Sequence, residues 1–131
     1  MASCFLIDSS AWMEFFKRGG DPDISGVVRS ALKNNLAWIT EPVFLEVAIG
    51  AKDFKKWKDI FGTLRLASVT TEVWAEAAKT GSLLAKKGIT VPAVDLVIAT
   101  VALKNGLTVL HRDKHFTMIA KALDLAELGF C

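Results

Sequence analysis

Residues 90–100, TVPAVDLVIAT, set one carboxylate inside an otherwise apolar helical run. Pro92 suits the first turn of a helix, and Val94, Leu96, Val97, Ile98 and Ala99 carry it forward. A helix that is apolar all round belongs in an interior, so other elements must cover this one. On it, Asp95 has Val91, Pro92, Ile98 and Ala99 as neighbours three and four residues away, and none of them can pair with a negative charge. A buried, unpaired carboxylate costs several kcal/mol or gives up its charge, so compensation has to come from elsewhere in the chain.

The covering elements are legible. Residues 4–7, 36–39, 66–69 and 107–110 are short apolar runs that read as buried strands, with 125–128 a weaker fifth. Helical patterns lie between them. One carries Trp12, Phe15 and Phe16 after a cap at Ser9 or Ser10, and a second runs from Ile24 to about Asn34. Another starts at Thr40–Glu41–Pro42, and the next carries Phe54, Trp57, Ile60 and Phe61 among lysines 52, 55, 56 and 58. Residues 71–87 form an amphipathic helix stopped by Gly88, the apolar helix reaches about Lys104, and Asp113 caps a last helix through Phe116, Ile119, Ala120 and Leu123. Strands alternating with helices, without hairpin signals, mean right-handed crossovers and a parallel sheet covered on both faces. The expectation is one α/β domain over residues 1–131.

Composition narrows what such a domain does. Hydrophobic residues make up 52% of the chain and mean hydropathy is +0.37, yet no uncharged apolar run approaches the roughly 20 residues of a bilayer crossing. The surplus points to a core plus an apolar surface for a partner or a second copy. The N-terminus lacks a basic region and meets an acid too early for a secretory signal. Cys4 and Cys131 make neither a disulfide framework nor a metal spacing, which fits a reducing cytoplasm. A net charge of +2 leaves nucleic-acid binding to local patches.

Of the 14 acidic residues, most read as surface charges: Glu14 has Lys17 and Arg18 at helical spacing, Glu76 has Lys79, and Asp59 follows Lys55 and Lys56. Four differ. Asp8 closes a buried strand, Asp113 follows one, and Glu46 and Asp95 have only apolar or glycine neighbours in the early turns of crossover helices. All four elements meet at the rim formed by the carboxyl ends of the strands, where parallel α/β folds bind ligands. Bare carboxylates crowded there raise each other's pKa, and a divalent cation resolves the conflict; an all-oxygen set suits Mg²⁺ or Mn²⁺ better than zinc. Plainer alternatives stand beside this: Asp8 and Asp113 as helix caps, Asp95 as a helix-dipole acid, Glu46 as half of a structural ion pair. Glu41 is a weaker fifth candidate that reads better as a dipole acid.

With these residues in view, the chain resembles a PIN domain, specifically a VapC-type toxin ribonuclease. The likeness covers nearly the whole length through LIDSSAW, PVFLEVAIGA, VPAVDLVIATVALKNG and VLHRDKHFTMIA, in that order. Each block alone is weak; their order and spacing together are specific. The family's acidic positions correspond to Asp8, Glu46, Asp95 and Asp113, and its hydroxyl beside the first acid to Ser9. His111 stands where many members have Thr or Ser. The resemblance implies strand order 3-2-1-4-5 and Mg²⁺- or Mn²⁺-dependent hydrolysis of RNA phosphodiesters. It also implies a homodimer silenced by a cognate antitoxin.

Other features are less pointed. His111 and His115 read as structural or substrate-facing, and Arg112 and Lys114 as RNA contacts or an exposed helix start. The Lys52–Lys58 cluster reads as a solvated face and the four tryptophans as core or interface. A non-catalytic PIN-like module binding RNA or protein is the alternative function. A phosphotransfer module lacks the acids it needs beside Asp8, where Ser9 and Ser10 follow, and no G-x-G-x-x-G follows the first strand for a dinucleotide.

Overall fold

Three- and four-residue apolar segments cannot stand alone, and in the computed structural model, which describes residues 3–131, they are joined side by side. Met1 and Ala2, part of the stretch read as no signal sequence, lie outside the described residues. The strands are β1 (Phe5–Ile7), β2 (Ala37–Ile39), β3 (Arg65–Leu66), β4 (Thr108–His111) and β5 (Glu127–Gly129). They form one parallel sheet in the order β3-β2-β1-β4-β5, the order the resemblance implied. Seven helices connect them among the described residues: α1 (Ser9–Phe16), α2 (Pro22–Lys33), α3 (Glu41–Gly50), α4 (Phe54–Phe61), α5 (Thr71–Lys86), α6 (Ala93–Asn105) and α7 (Lys114–Leu123).

The apolar run forms α6, buried continuously from Asp95 to Ala102. Pro92 sits at its N-cap with extended backbone, so the helix begins at Ala93, one residue past the expected start. Gly106 ends it at φ 64°, a left-handed conformation that glycine adopts without a Cβ clash, and its N–H bonds the Ala102 carbonyl. Leu6, Ile7, Val109 and Leu110 from the central strands are fully buried with Ile98, Ala99 and Val101 from α6. Each large side chain so buried contributes about 1.5–3 kcal/mol.

A second, aromatic packing unit sets α1 against α3 and α4. Trp12 meets Trp57 edge-on at 5.1 Å, Phe44 stacks on Trp57 at 5.9 Å, and Trp57 Nε1 donates to the Phe44 carbonyl at 3.2 Å. Trp12 and Trp57 are core, as expected, whereas Trp74 is 57% exposed.

The outer strands depart from expectation. β3 is two exposed residues shifted to Arg65–Leu66, because the Val69 N–H bonds Glu41 Oε1 instead of continuing the ladder. β5 lies at Glu127–Gly129, two residues late at its start. Edge strands receive little guidance from burial, so their periodicity is faint. Among the described residues no helix is long and apolar enough to cross a membrane.

Candidate active site

The order β3-β2-β1-β4-β5 has its switch point between β1 and β4, from which connections leave in opposite directions. Ile7 is in register with Leu110, and the next residue, Asp8, donates its N–H to the Leu110 carbonyl at 2.9 Å. Asp8 and Asp113 therefore leave neighbouring strands at one rim. Asp8 itself caps α1, a role expected of Ser9 or Ser10: its Oδ2 accepts from the Ser10 N–H at 3.0 Å and Oγ at 2.6 Å. Asp113 caps α7, its Oδ1 accepting from the His115 N–H at 2.9 Å. Both residues cap helices, and Asp8 stands near enough to Asp113 to feel its charge.

Glu46 and Asp95 approach the rim from helices, and Glu46 feels the charges of Asp8 and Asp113. Among the described residues, however, only Asp95, Asp113 and His115 bring ligand atoms within 4.8 Å of one another. Glu46 is exposed, and Ser9 Oγ donates to its Oε1 at 3.3 Å, a contact that the packing of α1 on α3 makes possible. Asp95 is 9% exposed, and its Oδ2 is buried without a hydrogen-bond partner. No lysine or arginine lies within ion-pair distance of Asp8, Glu46, Asp95 or Asp113 among the described residues.

Crowding distorts their protonation. Burial, then the hydrogen bond and charge of Asp113, then the charges of Asp8 and Glu46, push Asp95 up to about 8. Burial raises Asp8 despite the Ser10 hydrogen bonds, and Asp113 adds repulsion. Glu46, exposed as a residue, is raised by partial desolvation of its carboxyl and by the charges of Asp8 and Asp113, against the Ser9 hydrogen bond. Asp113 alone goes down: burial opposes it, but the proximity of the Asp95 carboxyl, the His115 backbone N–H and the nearby His115 ring outweigh burial. Asp95 and Asp113 therefore titrate together, the first driven up and the second down.

A family profile for the PIN domain matches residues 5–122. The chain belongs to the PIN-domain family. Ribonuclease VapC11 of Mycobacterium tuberculosis is 32% identical over 133 residues, covering 95% of this chain and 98% of that protein. VapC ribonuclease Mb1587 of Mycobacterium bovis matches to the same extent. The fold is that of FitAcB from Neisseria gonorrhoeae, with TM-score 0.76, 21% identity and coverage of 95% and 96% of the two chains. VapBC2 from Rickettsia felis, solved with a promoter DNA fragment, gives TM-score 0.74 at 15% identity over 98% and 99%.

The PIN-domain rim has further members that sequence reasoning missed. Ser10 Oγ, besides donating to Asp8, accepts the Arg112 N–H at 2.8 Å and so ties the end of β1 to the end of β4. Glu14, expected at the surface with Lys17 and Arg18, is only 7% exposed. It pairs with Lys17 and Arg112, each at 2.8 Å, and accepts the Asp21 N–H at 3.0 Å. Arg112 thus spends its Nη1 on Glu14, while Lys114 is exposed in the first turn of α7. A partner 98 residues away leaves no local signal.

The two histidines differ. His111 is wholly buried; its Nδ1 accepts the Asp113 N–H at 3.1 Å, so Nε2 carries the proton donated to Glu127 Oε1 at 2.9 Å. His115 instead aims a buried Nδ1 at the acids, 2.8 Å from Asp113 Oδ1 and 3.5 Å from Asp95 Oδ2. Glu41 pins the chain after β3 through the Val69 N–H and stays outside the cluster. A cavity of about 390 Å³ beside α1 and α4, edged by Lys17, Arg18, Lys52 and Lys56, is lined by none of the four acids. The acids line the open rim.

The donor set of this PIN domain fits a divalent cation. Converging carboxylates repel one another, no lysine or arginine among the described residues answers them, and Asp95 Oδ2 is buried without a hydrogen-bond partner. A positive ion removes all three costs together.

Proposed function

We propose that this chain is a metal-dependent endoribonuclease, the toxin of a toxin–antitoxin pair, hydrolysing RNA phosphodiesters. The observation that carries the reading is the meeting of Asp8, Glu46, Asp95 and Asp113 at the β1/β4 switch point, close enough to perturb one another's protonation. The VapC ribonucleases that it resembles over 95% of its length support the same chemistry.

Asp8, Glu46, Asp95 and Asp113 hold the cation, Mg²⁺ or Mn²⁺, and Ser9 and Ser10 orient two of them. When bound, the ion neutralises phosphate charge and makes water a stronger acid. The chain's residues do the rest. Ser10 presents Asp8 with Oδ2 occupied, and Ser9 steadies the exposed Glu46. Lys114 meets an RNA phosphate from the start of α7, while Arg112 does so only with the part of its guanidinium that Glu14 leaves open. Attack by water, in place of the ribose 2′-hydroxyl, leaves 3′-hydroxyl and 5′-phosphate ends.

The reading extends to partners: a cognate antitoxin, a homodimer and a cytoplasmic setting without membrane attachment. VapBC assemblies share the fold, and Leu45, Ile49 and Trp74 expose 59%, 79% and 57% of their surface, apolar area that protein partners would cover.

The test is incubation of total cellular RNA with purified, antitoxin-free protein in Mg²⁺, Mn²⁺ or EDTA, beside Asp8→Asn. Cuts that need metal and vanish in the variant are expected, with end-sequencing naming the target. No cleavage by either protein, with RNA still bound in EDTA, would turn the reading to a non-catalytic binding module.

A further inference from the structure

The two histidines stand in opposite surroundings. His111 has both ring nitrogens engaged, one accepting from backbone and one donating to Glu127. His115 Nδ1 is buried 2.8 Å from Asp113 Oδ1 and 3.5 Å from Asp95 Oδ2 without hydrogen-bond geometry to either, and Asp95 Oδ2 likewise has no hydrogen-bond partner. One ligand atom each from Asp95, Asp113 and His115 lies within 4.8 Å of the others. Two orphaned polar atoms of opposite ordinary roles facing one small space mark a place for a shared ion.

We propose that His115 is a further metal ligand, contributing a nitrogen through Nδ1 to the site of Asp95 and Asp113, and that it biases this site toward Mn²⁺ over Mg²⁺. The inference rests on the metal-dependent reading above. Mg²⁺ takes oxygen ligands and keeps much of its water, whereas imidazole nitrogen suits first-row transition ions. The ring stays 30% exposed on its other side, so Nε2 can hydrogen-bond water while Nδ1 ligates. A merely structural role would have Nδ1 donate to Asp113 Oδ1, and the 2.8 Å contact between them lacks hydrogen-bond geometry.

The experiment is pulsed electron paramagnetic resonance of the tag-free protein loaded with Mn²⁺ alone, with Mn²⁺ and Mg²⁺ affinities measured by titration. The chain has two histidines, and His111 is enclosed, so a directly coupled ¹⁴N in the wild type reports His115. The expected result is ¹⁴N coupling that disappears in His115→Gln. Mn²⁺ affinity should fall about tenfold or more in that variant and Mg²⁺ affinity much less. His115→Asp, an all-oxygen set, should narrow the Mn²⁺/Mg²⁺ ratio. Bound Mn²⁺ without ¹⁴N coupling in the wild type would overturn the role of His115 and leave the carboxylate site standing. Failure of folded wild-type protein to bind Mn²⁺ at all would instead overturn the metal reading beneath it. Because the wild-type spectrum decides the first point, a variant that fails to fold does not block the test.

Discussion

At the scale of single residues, Asp95 shows how a fold stores a conflict for use. Replacing its charge removes a repulsion while deleting a ligand, so Asp95→Asn should melt higher than wild type at pH 8 without metal. The same variant should lose the stabilisation that Mn²⁺ gives the wild type. Removing even a second-tier partner of a metal ligand costs about 10–100-fold, so cleavage should drop at least about 100-fold. Differential scanning fluorimetry and an RNA cleavage assay read both effects. Ser10 has a different task. Its hydroxyl bridges Asp8 and the Arg112 N–H, and Ser10→Ala should cost about 1 kcal/mol in urea unfolding and about tenfold in cleavage. Neither serine's role could be assigned from the local DSS, because Ser9 and Ser10 differ only in what α3 and β4 bring to them. His115 was legible as a residue and not as a neighbour of Asp95, which lies on another helix.

At the scale of elements, the turn between α1 and α2 holds the rim from behind. A Cβ at Gly20 would sit 1.8 Å from the Glu14 carbonyl oxygen, so the turn closes only on glycine. Backbone cannot yield as a flexible side chain does, and Gly20→Ala should destabilise by about 1–3 kcal/mol in denaturant titration. Glu14→Gln should cost about 2 kcal/mol by the same measurement, since Lys17, Arg112 and the Asp21 N–H lose their shared anion. Arg112 is freed in that variant, so RNA affinity should hold or rise even as stability falls. The apolar run of α6 was readable to within a residue because burial all round admits one interpretation. The exposed pair of β3 and the late β5 were less so, because edge strands bury little and their ends are decided by contacts such as Glu41 with the Val69 N–H.

At the scale of the molecule, the acid cluster links folding to pH and to metal. Asp8, Glu46 and Asp95 have folded-state pKa values above their ordinary ones, Asp95 reaching about 8. The folded state then binds more protons than the unfolded, so their contribution is fully present below about pH 4 and is lost as pH rises through the folded values. The lowered Asp113 and Glu14 work the other way, stabilising above about pH 4. Between pH 6 and 8, where Asp95 titrates, the melting temperature in EDTA should therefore fall with rising pH. Saturating Mn²⁺, by binding the charged carboxylates, should flatten or reverse that slope; a hundredfold excess over the dissociation constant adds about 2.7 kcal/mol. A slope in EDTA that rises over this range would contradict the arrangement of the acids.

What the sequence determined by itself is the alternation of short apolar strands with helices, the buried helix at its centre and the oddity of four acids without cations nearby. Those follow from local patterns, since periodicity and neighbours three or four residues away are written along the chain. Tertiary structure alone decided which groups meet. Asp8 reaches Asp113 because β1 pairs with β4, Ser9 reaches Glu46 because aromatic packing seats α1 on α3, and Glu14 reaches Arg112 across nearly the whole chain. A charge's energy depends on distance through space, and distance along the sequence does not measure it.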